Sequence, residues 1–531
     1  MERLDINQIP AGVLRHFNAN QIVLITTEDL KDKVLWTTTF EPHLLREING
    51  LEKLVELRKK EGVYSITTTI IGLNEESIQE ATSCFRNKYQ IIPELMALLE
   101  DNRKVYVVYA VTHFNYRPLE ELNVFIGGDC YRTGEEIKDL ETVLSRTKDL
   151  AQAMIRKAVM IFPHIPTLHG GKKGEWIILD GEGKKIEGIS EEAIVALGTL
   201  IIPKGIKFLN DYKEMKAVGR KIFDRFPERN VIRPDTASPD VLSGPNWKVM
   251  CEVWARRGLD LSYITCLPES LGGPRVPSSY PTGYGVVASA IKLVEYYFKD
   301  RDPASIRFLL EALGGVGQAT VEALLKRDYK AENITAFDKS AEAGWRATDK
   351  YGIKSLTMTH DEFYRGLDGN QQYDVWINNG EGDNTLPVHV DNLLKSGVRI
   401  FCGAANNFLK KTRQDESLRK IFNAGAWAWP DEVASGGGWT LAVIDVLTRS
   451  KGERSNTLEA QNQILETIKS RNERLVDEVV GELIEKHEAD GEAIWNKVKQ
   501  IIDERVAYTH QRKFTIDEIF ERANVTKWEL T

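Results

Sequence analysis

Gly315-Val316-Gly317-Gln318 turns the chain tightly, and Asp338 follows Gly317 by 21 residues. Glycine at 315 and 317 lets the backbone come close to a pyrophosphate, and unpaired N–H groups at a helix start then meet its charge. A carboxylate at the distance of Asp338 accepts both ribose hydroxyls of NAD and repels a 2′-phosphate. The spacing therefore points to a dinucleotide, with NAD favoured over NADP. An ordinary βα turn without a ligand is the competing reading.

Such a grip works only if strands and helices hold it. Residues 306–313 form a mostly apolar run of strand length, and 321–326 continue at helical spacing. A second apolar run at 334–337 ends at Asp338, and 373–377 and 398–402 read as two further parallel strands. Upstream, 271–281 is dense in glycine and proline and is a hinge candidate. Before it, runs rich in β-branched and aromatic residues at 22–27, 34–40, 64–71 and 105–111 alternate with helical patterns. A long helix is expected over 135–159. After it come a Gly/Lys-rich segment, His169-Gly-Gly-Lys-Lys-Gly174, a short strand at 176–179 and a hairpin tip at 181–185. Helices over 191–202 and 212–226 lead to an extended stretch that carries Asp235. Past Ser450 the chain is polar and helical, with capping-box chemistry at Asn456-Thr-Leu-Glu459.

The expected fold class is α/β and two-lobed: an α+β substrate and oligomerisation domain, a Rossmann-like NAD-binding domain, and a helical C-terminal extension. The boundaries fall at 1–281, 282–449 and 450–531, with about 1–104 as a candidate extra module. The 531 residues, 42% of them apolar and 28% charged, suit a soluble globular chain of two to four domains. A net charge of −8 without a long basic block speaks against nucleic acid or an anionic membrane as partner. Five widely spaced cysteines with no CxxC pair argue against disulfides and a structural zinc site, so no metal is expected. Neither a signal segment nor 18 consecutive apolar residues is present, which suits a cytoplasmic protein.

Seven motifs then fall into one order: Gly127-Gly128, Met154-Ile-Arg-Lys157, Gly170-Gly-Lys-Lys-Gly174, Pro234-Asp-Thr236, Thr282-Gly-Tyr-Gly-Val286, Gly315-Val-Gly317 and Gly403-Ala-Ala-Asn-Asn407. Over about residues 105–450 this resembles the glutamate/leucine/phenylalanine/valine dehydrogenases. The resemblance implies oxidative deamination of an L-amino acid to a 2-oxo acid and ammonia, or the reverse, with a nicotinamide cofactor and a closed homo-oligomer. It implies that Gly127, Gly128 and Lys157 bind substrate, with Lys157 on the α-carboxylate. Lys173 corresponds to the catalytic lysine and Asp235 to the proton shuttle; Lys172 remains an alternative to Lys173. Thr282 resembles a contact of the nicotinamide amide. Asn406 and Asn407 resemble the pair touching cofactor and substrate amine, and Gly315, Val316, Gly317, Gln318 and Asp338 line the cofactor.

Chemistry explains why such a set is useful. Loss of hydride from Cα makes an iminium, and a base must then activate water near neutral pH. A solvated lysine is too protonated to do so, but burial beside a second cation lowers its pKa. An aspartate within reach then carries protons as ammonia leaves. Four features depart from the family pattern: 16 residues separate Lys157 from Lys173, residues 377–382 read Ile-Asn-Asn-Gly-Glu-Gly, Ser435-Gly436 stands where Asn-Ala is usual, and Trp439 replaces a small residue. Ile126, where glutamate enzymes commonly carry lysine, favours an apolar or unusual amino acid over glutamate. A nucleotide-binding regulatory or interaction protein with reduced catalysis is the alternative function.

Overall fold

The computed structural model describes residues 63–115, 125–131, 140–161, 170–210, 244–259, 261, 264–367, 369–450 and 456–511. The chain divides into two compact units: 1–274 with 442–455 and 509–527, and 275–441 with 456–508 and 528–531. The break at 274/275 falls inside the breaker-rich stretch expected to be a hinge.

The first unit is built on a mixed sheet. Its strands are β1 (Val63–Gly72), β2 (Val105–Asn115), β3 (Phe125–Ile126), β4 (Asp129–Tyr131) and β5 (Gly170–Asp180), and β2 and β5 lie at its centre. β5 runs antiparallel to β2 and parallel to both β3 and β4. Helices α1 (Glu75–Thr82), α2 (Lys88–Ala97), α3 (Leu140–Ile161), α4 (Glu191–Asn210) and α5 (Gly244–Arg256) complete the described part. Side chains alternate between faces along a strand. Val105, Val107, Tyr109 and Val111 of β2, with Trp176 and Ile178 of β5, accordingly share one apolar core with α1, α2, α4 and α5. Small residues allow the helices to approach: a Cβ on Gly198 of α4 would lie 2.7 Å from the Trp176 ring, and one on Gly171 would lie 2.1 Å from the Ala151 carbonyl of α3.

The second unit is a six-stranded parallel sheet in the order β11-β10-β9-β6-β7-β8. Its elements are α6 (Ser279–Tyr297), β6 (Phe308–Glu311), α7 (Gly315–Leu325), β7 (Ile334–Asp338), α8 (Ala341–Tyr351), β8 (Lys354–Thr357), α9 (His360–Arg365), β9 (Val375–Asn378), α10 (Pro387–Lys395), β10 (Ile400–Gly403), α11 (Gln414–Asn423), β11 (Trp427–Ala428), α12 (Asp431–Ala434), α13 (Gly437–Ser450, which begins here) and α14 (Leu458–Val476). Strands β6, β7, β9 and β10 are buried at nearly every position, as a sheet covered on both faces requires. This is the doubly wound, Rossmann-like α/β arrangement, and its order reverses between β6 and β9, the point where such sheets take ligands.

The helical C-terminal region is present. α14 presses Asn472 onto the Gly285 carbonyl of α6 at 2.7 Å. Its cap differs from expectation by one residue: Thr457, rather than Asn456, accepts the Ala460 N–H, because Thr457 is the residue with extended backbone immediately before the first turn. Among the described residues no helix is long and apolar enough to cross a membrane.

Candidate active site

In the first unit the sheet itself assembles the candidates. β3 pairs with β5 at Ile126↔Gly171 and β4 resumes at Asp129↔Gly174, so Gly127 and Gly128 lie opposite Lys172 and Lys173. The Gly174 N–H donates to the Gly128 carbonyl at 3.1 Å. A Cβ on Gly127 would stand 1.7 Å from the Lys172 carbonyl oxygen, so this position requires glycine for lack of space.

The expected loop around the lysines is corrected here. Residues 170–175 are not a loop before a short strand but the first half of the eleven-residue β5, paired to β2 from Gly171↔Phe114 onward. Glycine lowers strand propensity, yet an eleven-residue partner and a helix packed on Gly171 override that preference. A strand also separates the two lysines, which a loop need not do. Gly171 points at α3, so alternation puts Lys173 and Glu175 on the α3 face and Lys172 on the opposite face with Trp176. Thr112, the cross-strand partner of Lys173, shares a 2.7 Å hydrogen bond with Thr147 of α3. Lys157 lies on the same helix.

Burial sets these lysines apart. Lys172 and Lys173 are 0% exposed, Lys157 is 4% and Glu175 is 1%. Lysine is almost never fully buried unless it is paired or works chemically, because desolvating an ammonium costs far more than its apolar stem gains. Asp235 and His169 lie outside the described residues.

In the second unit the glycine turn follows β6 directly. Ala312 takes φ 65°, a left-handed conformation costing a non-glycine residue roughly 1–2 kcal/mol, and it swings the chain into α7. Gln318 is the first residue of this turn whose N–H reaches back, to the Gly314 carbonyl at 3.0 Å, so the N–H groups of Gly315, Val316 and Gly317 have no partner within the helix. Gly314 and Gly315 are exposed, while Gly317 is buried against the Ala312 carbonyl, where a Cβ would sit 2.0 Å away. Gly317→Ala is expected to push α7 off β6 and weaken any dinucleotide affinity of this turn by more than about tenfold, the equivalent of 1.4 kcal/mol, as measured by titrating nucleotide against protein fluorescence.

Asp338 ends β7 beside this turn. One carboxylate oxygen accepts the Leu313 N–H at 2.6 Å and the other accepts the Ser340 N–H at 2.7 Å. Each oxygen keeps a lone pair, so the group ties the turn to β7 and still has acceptors to offer.

The remaining candidates lie on α6, which packs against α7, and in the segments around 406–407 and 431–439. Thr282 on α6 donates its hydroxyl to the Ser278 carbonyl at 2.9 Å and accepts the Gly438 N–H at 3.0 Å. Gly437 has no room for a side chain, since a Cβ would lie 2.0 Å from the Pro281 carbonyl. The Gly436-Gly437-Gly438 run is thereby explained as close packing on Pro281 and Thr282. Asn407 has φ 53° and its N–H donates to Asp431, while its carbonyl accepts the Asp383 N–H at 2.6 Å. Gly382 approaches Asn406 so closely that a Cβ would lie 1.8 Å from its carbonyl oxygen. Gly382, the last residue of the 377–382 stretch that departs from the family pattern, thus forms with Asp383 the bed on which the Asn406-Asn407 turn rests. Ser435 is buried and donates its hydroxyl to the Asp431 carbonyl at 2.6 Å, and Trp439 is buried in α13.

Two groups of buried polar residues had no sequence motif. Glu175 stands two residues from Lys173 on a continuous strand. Glu311, His360 and His389 come together from β6, α9 and α10, with 49 residues between the first two, and no local spacing could have marked them.

No family model matches the chain, and no curated protein matches it. Solved structures do. A hetero-hexameric glutamate dehydrogenase from Thermus thermophilus, in a leucine-bound form, is 14% identical, with a TM-score of 0.52 over 91% of this chain and 100% of the other. A lysine-to-leucine mutant of glutamate dehydrogenase is 13% identical, with a TM-score of 0.50 over 82% and 94%. An L-tryptophan dehydrogenase from Nostoc punctiforme is 13% identical, with a TM-score of 0.43 over 87% and 100%. The chain has a glutamate-dehydrogenase-like fold.

Proposed function

We propose that the chain is an NAD-dependent amino acid dehydrogenase, interconverting an L-amino acid with a 2-oxo acid and ammonia. The observation that carries this reading is that β5 sets the buried Lys172 and Lys173 opposite the Gly127-Gly128 pair, while α3, packed on Gly171, carries the buried Lys157. Substrates of this class carry an α-carboxylate, which an ammonium group binds through charge-assisted hydrogen bonds.

The first unit handles the amino acid. Lys157 pairs with the α-carboxylate, and the Gly127-Gly128 backbone lies against the substrate because no side chain stands there. Lys173 serves as the base: it is buried on the α3 face of β5, and α3 also carries Lys157. It takes a proton from the water that adds to the iminium carbon, giving a carbinolamine. Asp235 passes a proton to the departing nitrogen and recovers it from the hydroxyl as the carbonyl forms. Lys172, on the opposite face, is not the base.

The second unit fits a nicotinamide dinucleotide. The free N–H groups of Gly315, Val316 and Gly317 suit a pyrophosphate, with Gln318 next to them, and the spare lone pairs of Asp338 suit ribose hydroxyls. Thr282, Asn406 and Asn407 would hold the nicotinamide. When bound, the cofactor accepts the hydride from Cα. Asp338→Ser removes the charge that excludes a 2′-phosphate and one tie to Leu313. The NADP-to-NAD ratio of kcat/KM is expected to rise at least tenfold, worth about 1.4 kcal/mol, in parallel assays with the two cofactors. No change in that ratio would place the ribose elsewhere.

The test is formation of reduced cofactor at alkaline pH from NAD and a panel of L-amino acids, apolar ones included because Ile126 favours them and aromatic ones because Trp439 either stacks with such a side chain or shortens the pocket against it. Turnover of at least one supports the enzyme. Tight NAD binding with no turnover across the panel supports the regulatory alternative, which one observation favours: the Ser435 hydroxyl is engaged by Asp431, so this position offers no amide to a nicotinamide.

A further inference from the structure

At the C-terminal end of β6, on the face covered by α9 and α10, two histidines meet. His360 Nδ1 is 2.8 Å from Glu311 Oε1, and His360 Nε2 is 3.1 Å from His389 Nδ1. Glu311 is buried and takes the Tyr364 hydroxyl at 2.6 Å on its other oxygen, so it accepts and His360 Nδ1 carries the hydrogen between them. That tautomer leaves the His360 Nε2 lone pair aimed at His389. On the far side of the His389 ring the Leu386 N–H stands 3.3 Å from Nδ1, and Nε2 faces Asp361 Oδ1 at 3.7 Å.

We propose that His360, His389 and Asp361 form a binding site for a divalent transition-metal ion of the zinc class. The candidate ligand atoms of the three residues lie within 4.8 Å of one another. Nε2 is the His389 nitrogen on the Asp361 side, so the donor set is His360 Nε2, His389 Nε2 and one Asp361 oxygen. Glu311 supplies what a metal-bound histidine ordinarily has, a buried carboxylate on its other ring nitrogen that fixes tautomer and raises basicity. Tyr364, stacked on His389 with ring centroids 4.7 Å apart, and Asn384, 3.5 Å from Glu311, hold this arrangement. The ligands are two imidazoles and one carboxylate, a set that suits zinc and its neighbours and is poor for calcium or magnesium. Three protein ligands leave a fourth position for water or a substrate atom. Asp361 is exposed, which opens the site to solvent.

The sequence expectation of no metal rested on the cysteines. His360 and His389 are 29 residues apart on different helices, and only the packing of α9 against α10 joins them. The site does not depend on the dehydrogenase reading.

The experiment uses the full chain, stripped with chelator, titrated with Zn2+ by calorimetry and with Co2+ by visible absorption. One equivalent of Zn2+, with a Co2+ spectrum of four-coordinate intensity, is expected. His360→Ala and His389→Ala should each weaken binding at least a hundredfold, and Glu311→Gln by about 10–100-fold. Asp361→Asn, at an exposed position that leaves folding intact, should weaken Zn2+ binding tenfold or more. Unfolding of each metal-free variant is measured alongside, and Zn2+ should raise the midpoint of the wild-type chain but not that of Asp361→Asn at the same concentration. Absence of stoichiometric binding, or equal binding by wild type and Asp361→Asn, overturns the site and leaves the two rings joined by a hydrogen bond alone.

Discussion

Replacing Lys173 with alanine should lower kcat by roughly a thousandfold, within the 10²–10⁴ that a positioned base contributes, while changing KM little. Its side chain emerges from the centre of a paired strand on the α3 face, so removal deletes the amine without moving Gly127, Gly128 or Lys157. Lys172→Ala is the control. That residue is equally buried but points the other way, and its loss should destabilise the unit with a much smaller effect on kcat in the folded fraction. The two variants are compared in the NAD assay with the best amino acid of the panel, at enzyme concentrations normalised to folded protein by near-ultraviolet circular dichroism. If Lys172→Ala removes turnover and Lys173→Ala leaves it, the base is on the other face and the assignment by strand alternation fails. If neither matters, the buried lysines are structural, and a nucleotide-binding protein without this chemistry remains.

The largest expected effect on stability comes from Gly127→Ala. One added carbon 1.7 Å from the Lys172 carbonyl oxygen meets backbone on a central strand, not a flexible side-chain end. Relief requires β3 and β4 to part from β5, which breaks the Gly174 to Gly128 hydrogen bond and exposes the lysines. Losses above about 4 kcal/mol are rare for single substitutions, and a backbone collision in a sheet belongs to that class, so a cost of at least about 3 kcal/mol is expected. Urea unfolding of the first unit, followed by fluorescence of its buried Trp176 and Trp254, measures it. A cost below about 1 kcal/mol would mean that the strand pair is not as close as the geometry requires.

The Rossmann-like half was legible in the chain because its signals are local. An apolar run, a glycine turn, helical spacing and an acid at fixed distance all fall within 306–338, and each reports backbone conformation or burial of a few neighbouring residues. The doubly wound sheet follows from such runs repeated at 373–377 and 398–402. Strand order was not written there. It arises from pairing between strands dozens of residues apart, where packing on α9, α10 and α11 selects the neighbour.

Residue types and motif order alone were enough to nominate Lys157, Lys172, Lys173 and the two glycines, yet could not say which lysine faces which side. That depends on whether 170–175 is loop or strand, and a glycine-rich stretch tells against a strand until an eleven-residue partner supplies the hydrogen bonds. Once paired, the period of two assigns Lys173 to α3 and Lys172 to the other core. The meeting of Glu311, His360 and His389 is the purest tertiary outcome. Each residue is unremarked in its own segment, and the free energy that joins them comes from burying the apolar faces of α9 and α10 on the sheet, with the polar groups carried along and obliged to satisfy one another.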